Sequence, residues 1–215
     1  LGMFAMVSAT NLLMVYLAIE MVSIPSYIIA GISKNDRESN EAALKYVIYG
    51  SFASGIMLFG LSFLYGLTGT TDIYTISNQL ANNENSLLIY LSMIFILVGF
   101  GYKISMVPFH YWTPDVYQGA PITVTTFLSV APKAAGFAIL IRFFYSIFVI
   151  NGAPIIEWTN IIAIFSALTM TVGNILALKQ TNIKRLLAYS SISHVGFMLI
   201  ALSIVSIDSV TSVLF

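Results

Sequence analysis

Six long apolar runs, separated by polar segments, dominate the pattern of the chain. A run of about 20 apolar residues is long enough to cross the hydrocarbon core of a bilayer as a helix. The pattern predicts six full spans, at residues 11–32, 42–67, 87–107, 122–149, 155–178 and 186–205. Because both ends of the chain are also apolar, we expect it to be a piece of a longer membrane protein. The polar segment 68–86 has room for a short helix at the membrane interface.

The loops differ in basic residues, which set the orientation of a membrane protein. The segments 68–86 and 151–158 contain neither lysine nor arginine. The loops after the first full span and between the fifth and sixth contain Lys34, Arg37, Lys179, Lys184 and Arg185. Counting the crossings puts both basic loops on one side, which is therefore the expected cytoplasmic side. The segment TPDVYQGAP, residues 113–121, falls on that side as well.

The composition supports a chain dissolved in lipid. Of its 215 residues 58% are hydrophobic and 8% charged, the formal net charge is zero, and the mean hydropathy is +0.90. A soluble domain has about a quarter of its residues charged. The zero net charge argues against nucleic acid as a partner. The absence of cysteine excludes disulfides and cysteine-held iron–sulfur clusters, and two histidines leave little for a metal site. We therefore expect an all-α polytopic membrane protein with no metal or cofactor of its own.

Four of the charged residues inside the predicted spans cannot readily be assigned to loops: Glu20, Lys45, Lys103 and Lys133. A charge near the middle of a bilayer costs at least about 2.5–3.5 kcal/mol, so such residues usually face protein or water and have a function. The alternative is that a long side chain near a helix end extends to the interface. Lys133 lies 12 residues after Pro121, or about 18 Å along a helix, which is too deep for that alternative. Its helical face also carries Thr126 and Ser129, which makes a polar stripe.

Glu20 and Lys45 lie on successive spans joined by a short loop. Glu20 is near the middle of its span, and Pro25 should open the helix one turn later. Lys45 is close enough to the cytoplasmic end to reach the interface, with Glu41 as a local partner. Because the two helices are antiparallel neighbours, we expect a Glu20–Lys45 pair. A purely structural ion pair at Glu20 is the alternative.

Lys103, Pro108 and His110 fall at the end of the third span. Pro108 removes a hydrogen bond to Ile104 and should break the helix. A cation beside a broken helix is typical of ion sites in transporters. The alternatives are a helix cap for Lys103 and a hydrogen-bonded core histidine for His110. His194 follows Ser190 and is either a neutral, hydrogen-bonded histidine or a proton carrier.

Together these residues suggest proton conduction. A buried lysine can gain and lose a proton near neutral pH because burial disfavours its charged form. Several such groups bridged by water can pass protons along, and a nearby acid–lysine pair can bias each of them. The sequence therefore predicts a proton-conducting membrane subunit.

Several long motifs resemble the antiporter-like membrane subunits of respiratory complex I, the NADH–quinone oxidoreductase. They are the segments starting SNEAALKYVIYG, GYKISMVPFHYWTPDVYQGAP, FLSVAPKAAGFA and KQTNIKRLLAYSSISHVGF, and TPDVYQGAP with the lysine of APKAA is most similar to the subunit N family. The resemblance implies a fold of 14 helices with two inverted five-helix repeats, each with one broken helix. Residues 1–149 then correspond to the first repeat, from part of the fourth helix to the eighth, with the break near residues 103–121. Residues 150–215 correspond to the start of the second.

The resemblance also implies roles for individual residues. Glu20 and Lys45 match the family's glutamate–lysine pair, Lys103 the lysine at the break, and Lys133 the lysine that leads to the central polar axis. His194 falls on that axis, and His110 and His194 are candidate relay residues. Opening or closing of the Glu20–Lys45 pair would then move a proton between Lys103 and Lys133.

Other implications concern the whole complex. Quinone reduction in other subunits would drive pumping, so the chain is part of a translocase without a redox site of its own. NAD, FMN, iron–sulfur clusters and quinone belong to partner subunits, and other membrane-arm subunits and lipid are the expected partners. We expect a bacterial inner membrane, with organellar inner and thylakoid membranes as alternatives.

Three other functions remain open at this point. An Mrp-type cation/proton antiporter subunit, or the equivalent subunit of a membrane hydrogenase, would share the lysines. A passive scaffold would tolerate apolar replacements of the buried charges. A cytochrome b-like haem protein would use His110 and His194 as axial ligands.

Overall fold

The computed structural model describes residues 1–81 and 86–214, which are mostly helical. Within these residues the elements follow in this order: α1 (Gly2–Ser8), α2 (Leu12–Ala30), α3 (Arg37–Thr68), α4 (Ile73–Ala81), α5 (Ser86–Ile104), α6 (Trp112–Gly119), α7 (Ile122–Ile147), the two-residue strands β1 (Val149–Ile150) and β2 (Ala153–Pro154), which pair antiparallel, α8 (Trp158–Leu178), α9 (Ile183–Leu202) and α10 (Ile207–Leu214).

Six of these helices are long and apolar enough to cross a membrane: α2, α3, α5, α7, α8 and α9. They coincide with the six predicted spans and confirm the all-α polytopic fold. The largest difference is at α3, which begins at Arg37 rather than Ala42. The side chain of Asp36 accepts a hydrogen bond from the backbone N–H of Glu38, 3.0 Å away, and so caps the helix five residues earlier than hydropathy indicates. Helix α4 lies where a short helix was expected.

The helix break near Pro108 is confirmed. Helix α5 ends at Ile104, Ser105 has a positive φ of 69°, and the chain is helical again from Trp112. Two backbone groups around the break are satisfied by side chains, as membrane depth requires. The indole N–H of Trp112 donates to the carbonyl of Tyr102 at 3.0 Å, and the N–H of Val107 donates to the hydroxyl of Thr169 on α8 at 3.1 Å.

At Pro25 the expected opening is wrong, because α2 runs without interruption from Leu12 to Ala30. One missing backbone hydrogen bond does not end a helix when the bonds on both sides of it persist. The hydroxyls of Ser23 and Ser26 also donate to the carbonyls of Ile19 and Val22, one turn back in the same helix. Glu20 therefore lies on a regular helix despite the proline.

The short helix α6 packs between α3 and α9, and α5 packs against α3 and α7. Aromatic side chains fill the α3–α5–α6 contact, where the rings of Tyr46 and Trp112 stack with centroids 4.4 Å apart. Lys45 of α3 and Arg185 of α9 both reach Asp115 of α6. The two basic loops and residues 113–121 therefore lie at the same end of the bundle, as the crossing count predicted. That this end is cytoplasmic stays a prediction.

Candidate functional site

Lys103 is buried in the last turn of α5, immediately before the break. Its side chain is 3% exposed, and its Nζ donates to the hydroxyl of Ser23 on α2 at 2.9 Å. It also lies against α7, where a Cβ added at Gly136 would meet its Cγ at 3.5 Å. The missing side chain at Gly136 thus lets the lysine pass close to α7. Lys103 is therefore at the junction of α2, α5 and α7.

Glu20 lies near Ser23, the residue that Lys103 contacts. One of its carboxylate oxygens, Oε1, is buried and has no hydrogen-bond partner among the described residues. The carboxylate borders a cavity of about 10 Å³ whose wall includes Ser23, the hydroxyl that Lys103 contacts, together with Tyr27 and Tyr102. A space of about 10–15 Å³ is what one water molecule needs. Glu20 and Lys103 thus both lie beside Ser23, and no salt bridge among the described residues joins them.

The expected Glu20–Lys45 pair is wrong. The Nζ of Lys45 lies 2.7 Å from a carboxylate oxygen of Asp115 and 2.8 Å from one of Glu41. Glu20 instead lies level with Gly50 of α3, which borders the same small cavity. Gly50 is five residues beyond Lys45, or about 7.5 Å along the helix. The two helices are neighbours, as expected, but their charged residues lie at different depths.

Lys133 is buried on α7 beside a groove. Its side chain is 6% exposed, and its Nζ donates to the hydroxyl of Ser191 on α9 at 2.8 Å. The ring centroid of Tyr117 lies 5.5 Å from the same nitrogen, within the range of a cation–π contact. The groove runs between α7 and α9, measures about 670 Å³, and is bordered by Thr126 and Ser129. The polar stripe predicted on α7 therefore faces this groove.

Lys103 packs against the helix that carries Lys133. Lys103 packs against Gly136, which follows Lys133 by three residues, or about 4.5 Å of helix rise. Among the described residues neither amine has a carboxylate within salt-bridge distance, because the salt bridges involve other residues. Each amine is instead held by a serine hydroxyl.

The two histidines occupy different surroundings. His110 lies within the break, is 3% exposed, and its Nδ1 has no hydrogen-bond partner among the described residues. Its ring packs against Tyr111 with centroids 4.5 Å apart. His194 is exposed on α9 and borders the groove beside Lys133, whereas His110 does not border it. A shared haem site is not favoured by this arrangement, and the relay role of each histidine stays a prediction.

Sequence reasoning missed Asp115 and Arg185. The carboxylate of Asp115 accepts from Lys45 on one oxygen and from Arg185 Nη1, 2.6 Å away, on the other. Partial burial alone would raise the pKa of the Asp115 carboxyl, which lies outside the six long spans. The hydrogen bonds and charges of Lys45 and Arg185 outweigh burial and lower that pKa below 3.8. The available signal was that Asp115 is the one acid within TPDVYQGAP.

The described residues contain no group of three or more histidine, aspartate or glutamate side chains placed to hold a metal ion. A bundle of spanning helices with a broken helix and buried amines at the break is the architecture of ion-translocating membrane proteins. Residues 9–215 match the family model described as NADH:quinone oxidoreductase/Mrp antiporter, transmembrane region. The chain belongs to this family.

Similar proteins agree with this membership. The chain is 49% identical over 232 residues to NADH-quinone oxidoreductase subunit N of Anaeromyxobacter sp. strain Fw109-5, covering 100% of this chain and 45% of the relative. It is 52% identical over 206 residues to subunit N 2 of Chloroherpeton thalassium, covering 93% and 40%. The chain thus spans less than half the length of these relatives.

Two solved structures share the fold. A chain of respiratory complex I from Thermus thermophilus has a TM-score of 0.79 at 40% identity, with 94% of this chain and 42% of that chain covered. A chain of an archaeal membrane-bound sulfane sulfur reductase has a TM-score of 0.88 at 29% identity, with 99% and 43% covered. The same fold therefore occurs in respiratory membrane complexes with different reactions.

Proposed function

We propose that this chain is part of the proton-translocating N-type membrane subunit of an NADH–quinone oxidoreductase. One observation supports this most directly: Lys103 and Lys133 are both buried, Lys103 packs against Gly136, which is three residues after Lys133 on α7, and each amine is held by a serine hydroxyl. Two such amines inside a membrane protein can exchange a proton through intervening water. The names of the similar relatives supply the identity of the complex.

In this proposal each charged residue has a distinct role. Lys103 accepts a proton at the break, and a proton passes from it toward Lys133 through water. Glu20 sets the electrostatic bias on Lys103 from the far side of Ser23. Lys45 lies at the same end of the bundle as the basic loops, and its partner there is Asp115 rather than Glu20. His194, beside the groove, takes the proton on from Lys133. His110 relays protons at the break.

The remaining parts of the proposal concern the whole protein. Residues 1–149 form the first inverted repeat and residues 150–215 the start of the second. NAD, FMN, iron–sulfur clusters and quinone are bound by partner subunits, and quinone reduction there drives pumping through this chain. The subunit lies in a bacterial inner membrane against other membrane-arm subunits.

The test is Lys103→Ala in the full-length subunit within the assembled complex. NADH-driven proton uptake into inverted membrane vesicles should be lost, because the amine that accepts the proton at the break is gone. The matched control is Lys179→Ala, which removes an exposed lysine from the loop after α8. Proton pumping at the wild-type level in Lys103→Ala would contradict the proposal and favour a passive scaffold.

A second candidate is an Mrp-type antiporter or a related membrane subunit. The family description includes Mrp antiporters, and the sulfane sulfur reductase chain has the higher TM-score of the two structures. Purification of the native complex followed by mass spectrometry of its subunits distinguishes the two. Co-purifying NADH-binding and iron–sulfur subunits support the first candidate, whereas sodium-dependent proton exchange without them supports the second.

A further inference from the structure

Helix α6 is too short to be stable without tertiary contacts. It has eight residues, and isolated helices of this length do not persist in water. It follows the irregular segment of the break, so the preceding chain does not hold it in a continuous helix. Its position must therefore be fixed by side chains of neighbouring helices.

The charged residue of α6 makes such contacts on two sides. Asp115 accepts from Lys45 of α3 at 2.7 Å and from Arg185 of α9 at 2.6 Å. The same Arg185 nitrogen lies 3.2 Å from the side-chain oxygen of Gln118, also on α6. Because α3 and α9 belong to the segments before and after the hairpin of residues 149–154, Asp115 connects the two halves of this chain.

The end of α6 is held by a second cation of α9. The Nζ of Lys184 donates to the backbone carbonyl of Gln118 at 3.0 Å and to that of Ala120 at 3.2 Å. These are carbonyls at the end of a helix, which lack partners within it. On the α3 side, Gly119 packs so close to the carbonyl of Glu38 that a Cβ would overlap it. The C-terminal end of α6 is thus packed closely against both α3 and α9.

The opposite face of α6 reaches the buried amine of α7. Tyr117 follows Asp115 by two residues, which is about 200° around a helix. Its side chain is 2% exposed, and its ring lies 5.5 Å from the Nζ of Lys133. One short rigid element therefore has an ion-paired carboxylate on one face and the ring that contacts Lys133 on the other.

We propose that Asp115 is a positioning residue that ties α6 to α3 and α9 and thereby holds Tyr117 against Lys133. This deepens the proposed function and rests on it. Loss of charge at Lys45 or Asp115 releases one side of α6, and the ring of Tyr117 then moves relative to Lys133. Lys45 thus acts on Lys133 through α6 rather than through a pair with Glu20.

The experiment compares two variants that each remove one carboxylate from Lys45, in the full-length subunit within the assembled complex. Asp115→Asn removes the carboxylate on α6, whereas Glu41→Gln removes the one on α3 itself. Hydrogen–deuterium exchange of residues 112–119 reports how firmly α6 is held. We expect exchange to be about three- to fivefold faster in Asp115→Asn and unchanged in Glu41→Gln, since a fivefold change corresponds to about 1 kcal/mol. Proton pumping should fall in Asp115→Asn and be largely restored in Asp115→Glu.

If Asp115→Asn does not assemble, Arg185→Gln removes the contact of Asp115 with α9, leaves its contact with Lys45, and should give a smaller increase in exchange. Unchanged exchange in these variants, or an equal increase in Glu41→Gln, would overturn the proposal. Faster exchange with wild-type pumping would also overturn it, because α6 would then have no effect on Lys133. Failure of the proposed function is recognised separately, by wild-type pumping in Lys103→Ala.

Discussion

Lys45 and Lys103 are two lysines in opposite surroundings. Lys45 is 37% exposed and lies between two carboxylates, while Lys103 is 3% exposed and has a serine hydroxyl as its direct partner. A charged lysine is stable in the first surroundings and costly in the second. A lysine among carboxylates can fix the position of a helix, whereas a lysine among neutral groups can exchange a proton. Solvation and partners, not residue type, separate the two roles.

Removing the second buried amine should have the largest effect on this contrast. Lys133→Met keeps the length and the apolar stem of the side chain but cannot accept a proton. We expect proton pumping to fall about a hundredfold or more, which is the range of proton-transfer groups in catalysis. Dye-quenching assays in inverted vesicles measure it, with Lys179→Met as the control for an exposed lysine. Pumping above a tenth of wild type would show that Lys133, like Lys45, fixes the position of a helix and does not exchange a proton as Lys103 does.

The two carboxylates near these lysines should differ as well. Glu20→Gln removes the charge coupled to Lys103, and we expect pumping to fall roughly ten- to thirtyfold, equivalent to about 1.4–2 kcal/mol of lost electrostatic bias. Glu41→Gln removes an exposed partner of Lys45 and should change pumping less than about twofold, as for most exposed ion pairs. The same vesicle assay compares both variants. Equal losses of pumping in the two variants would contradict the different roles assigned to the buried Lys103 and the exposed Lys45.

Packing beside Glu20 gives a prediction for stability. A methyl group at Gly50 would overlap the hydroxyl of Tyr27 and lie 2.8 Å from that of Tyr102, so Gly50→Ala should destabilise the fold by about 1–3 kcal/mol. Gly55, on the same helix, has nothing within 4 Å of an added Cβ, and Gly55→Ala should be neutral or slightly stabilising. Thermal unfolding of the detergent-solubilised protein measures both. A stability loss in Gly55→Ala as large as in Gly50→Ala would show that this region is not tightly packed.

The smallest expected effect is the pH dependence of the Asp115 bridge. Because its folded-state pKa is below 3.8, the bridge stabilises the fold above about pH 4, and this contribution is lost as the pH falls through the folded-state value. The difference in unfolding midpoint between wild type and Asp115→Asn should correspond to less than about 1 kcal/mol at pH 6. This difference should disappear as the pH falls through the folded-state pKa of the Asp115 carboxyl. A difference that grows on acidification would contradict the assignment.

The broken helix and the spans were predictable because their signals are local. Hydropathy over about 20 residues places a span, and Pro108 together with Lys103 marks the end of α5. Pro25 gives the same local signal, and there the prediction was wrong. The difference lies in tertiary support: the carbonyl of Tyr102 and the N–H of Val107 are bonded by side chains of Trp112 and Thr169, while α2 is helical on both sides of Pro25.

The partners of the charged residues were less predictable. Burial of Lys103 and Lys133 follows from their depth in a span, and it is confirmed. The pairing of Glu20 with Lys45 was inferred from neighbouring helices, but their relative depth is set by the loop and by the packing of α2 against α3. Glu41, one turn away, was predicted as a partner of Lys45 and is confirmed. The other partner, Asp115, is 70 residues away in the sequence, so no local pattern indicates it.

The sequence alone determined the membrane solvent, the number of spans, the break in α5 and the amines that lie in the hydrocarbon region, because each depends on neighbouring residues and on the thickness of a bilayer. Only the tertiary structure decided which groups meet: Lys103 with Ser23, Lys133 with Tyr117 and Ser191, and Lys45 with Asp115. These contacts join side chains on different helices, and their depth and rotation are fixed by packing across the whole bundle.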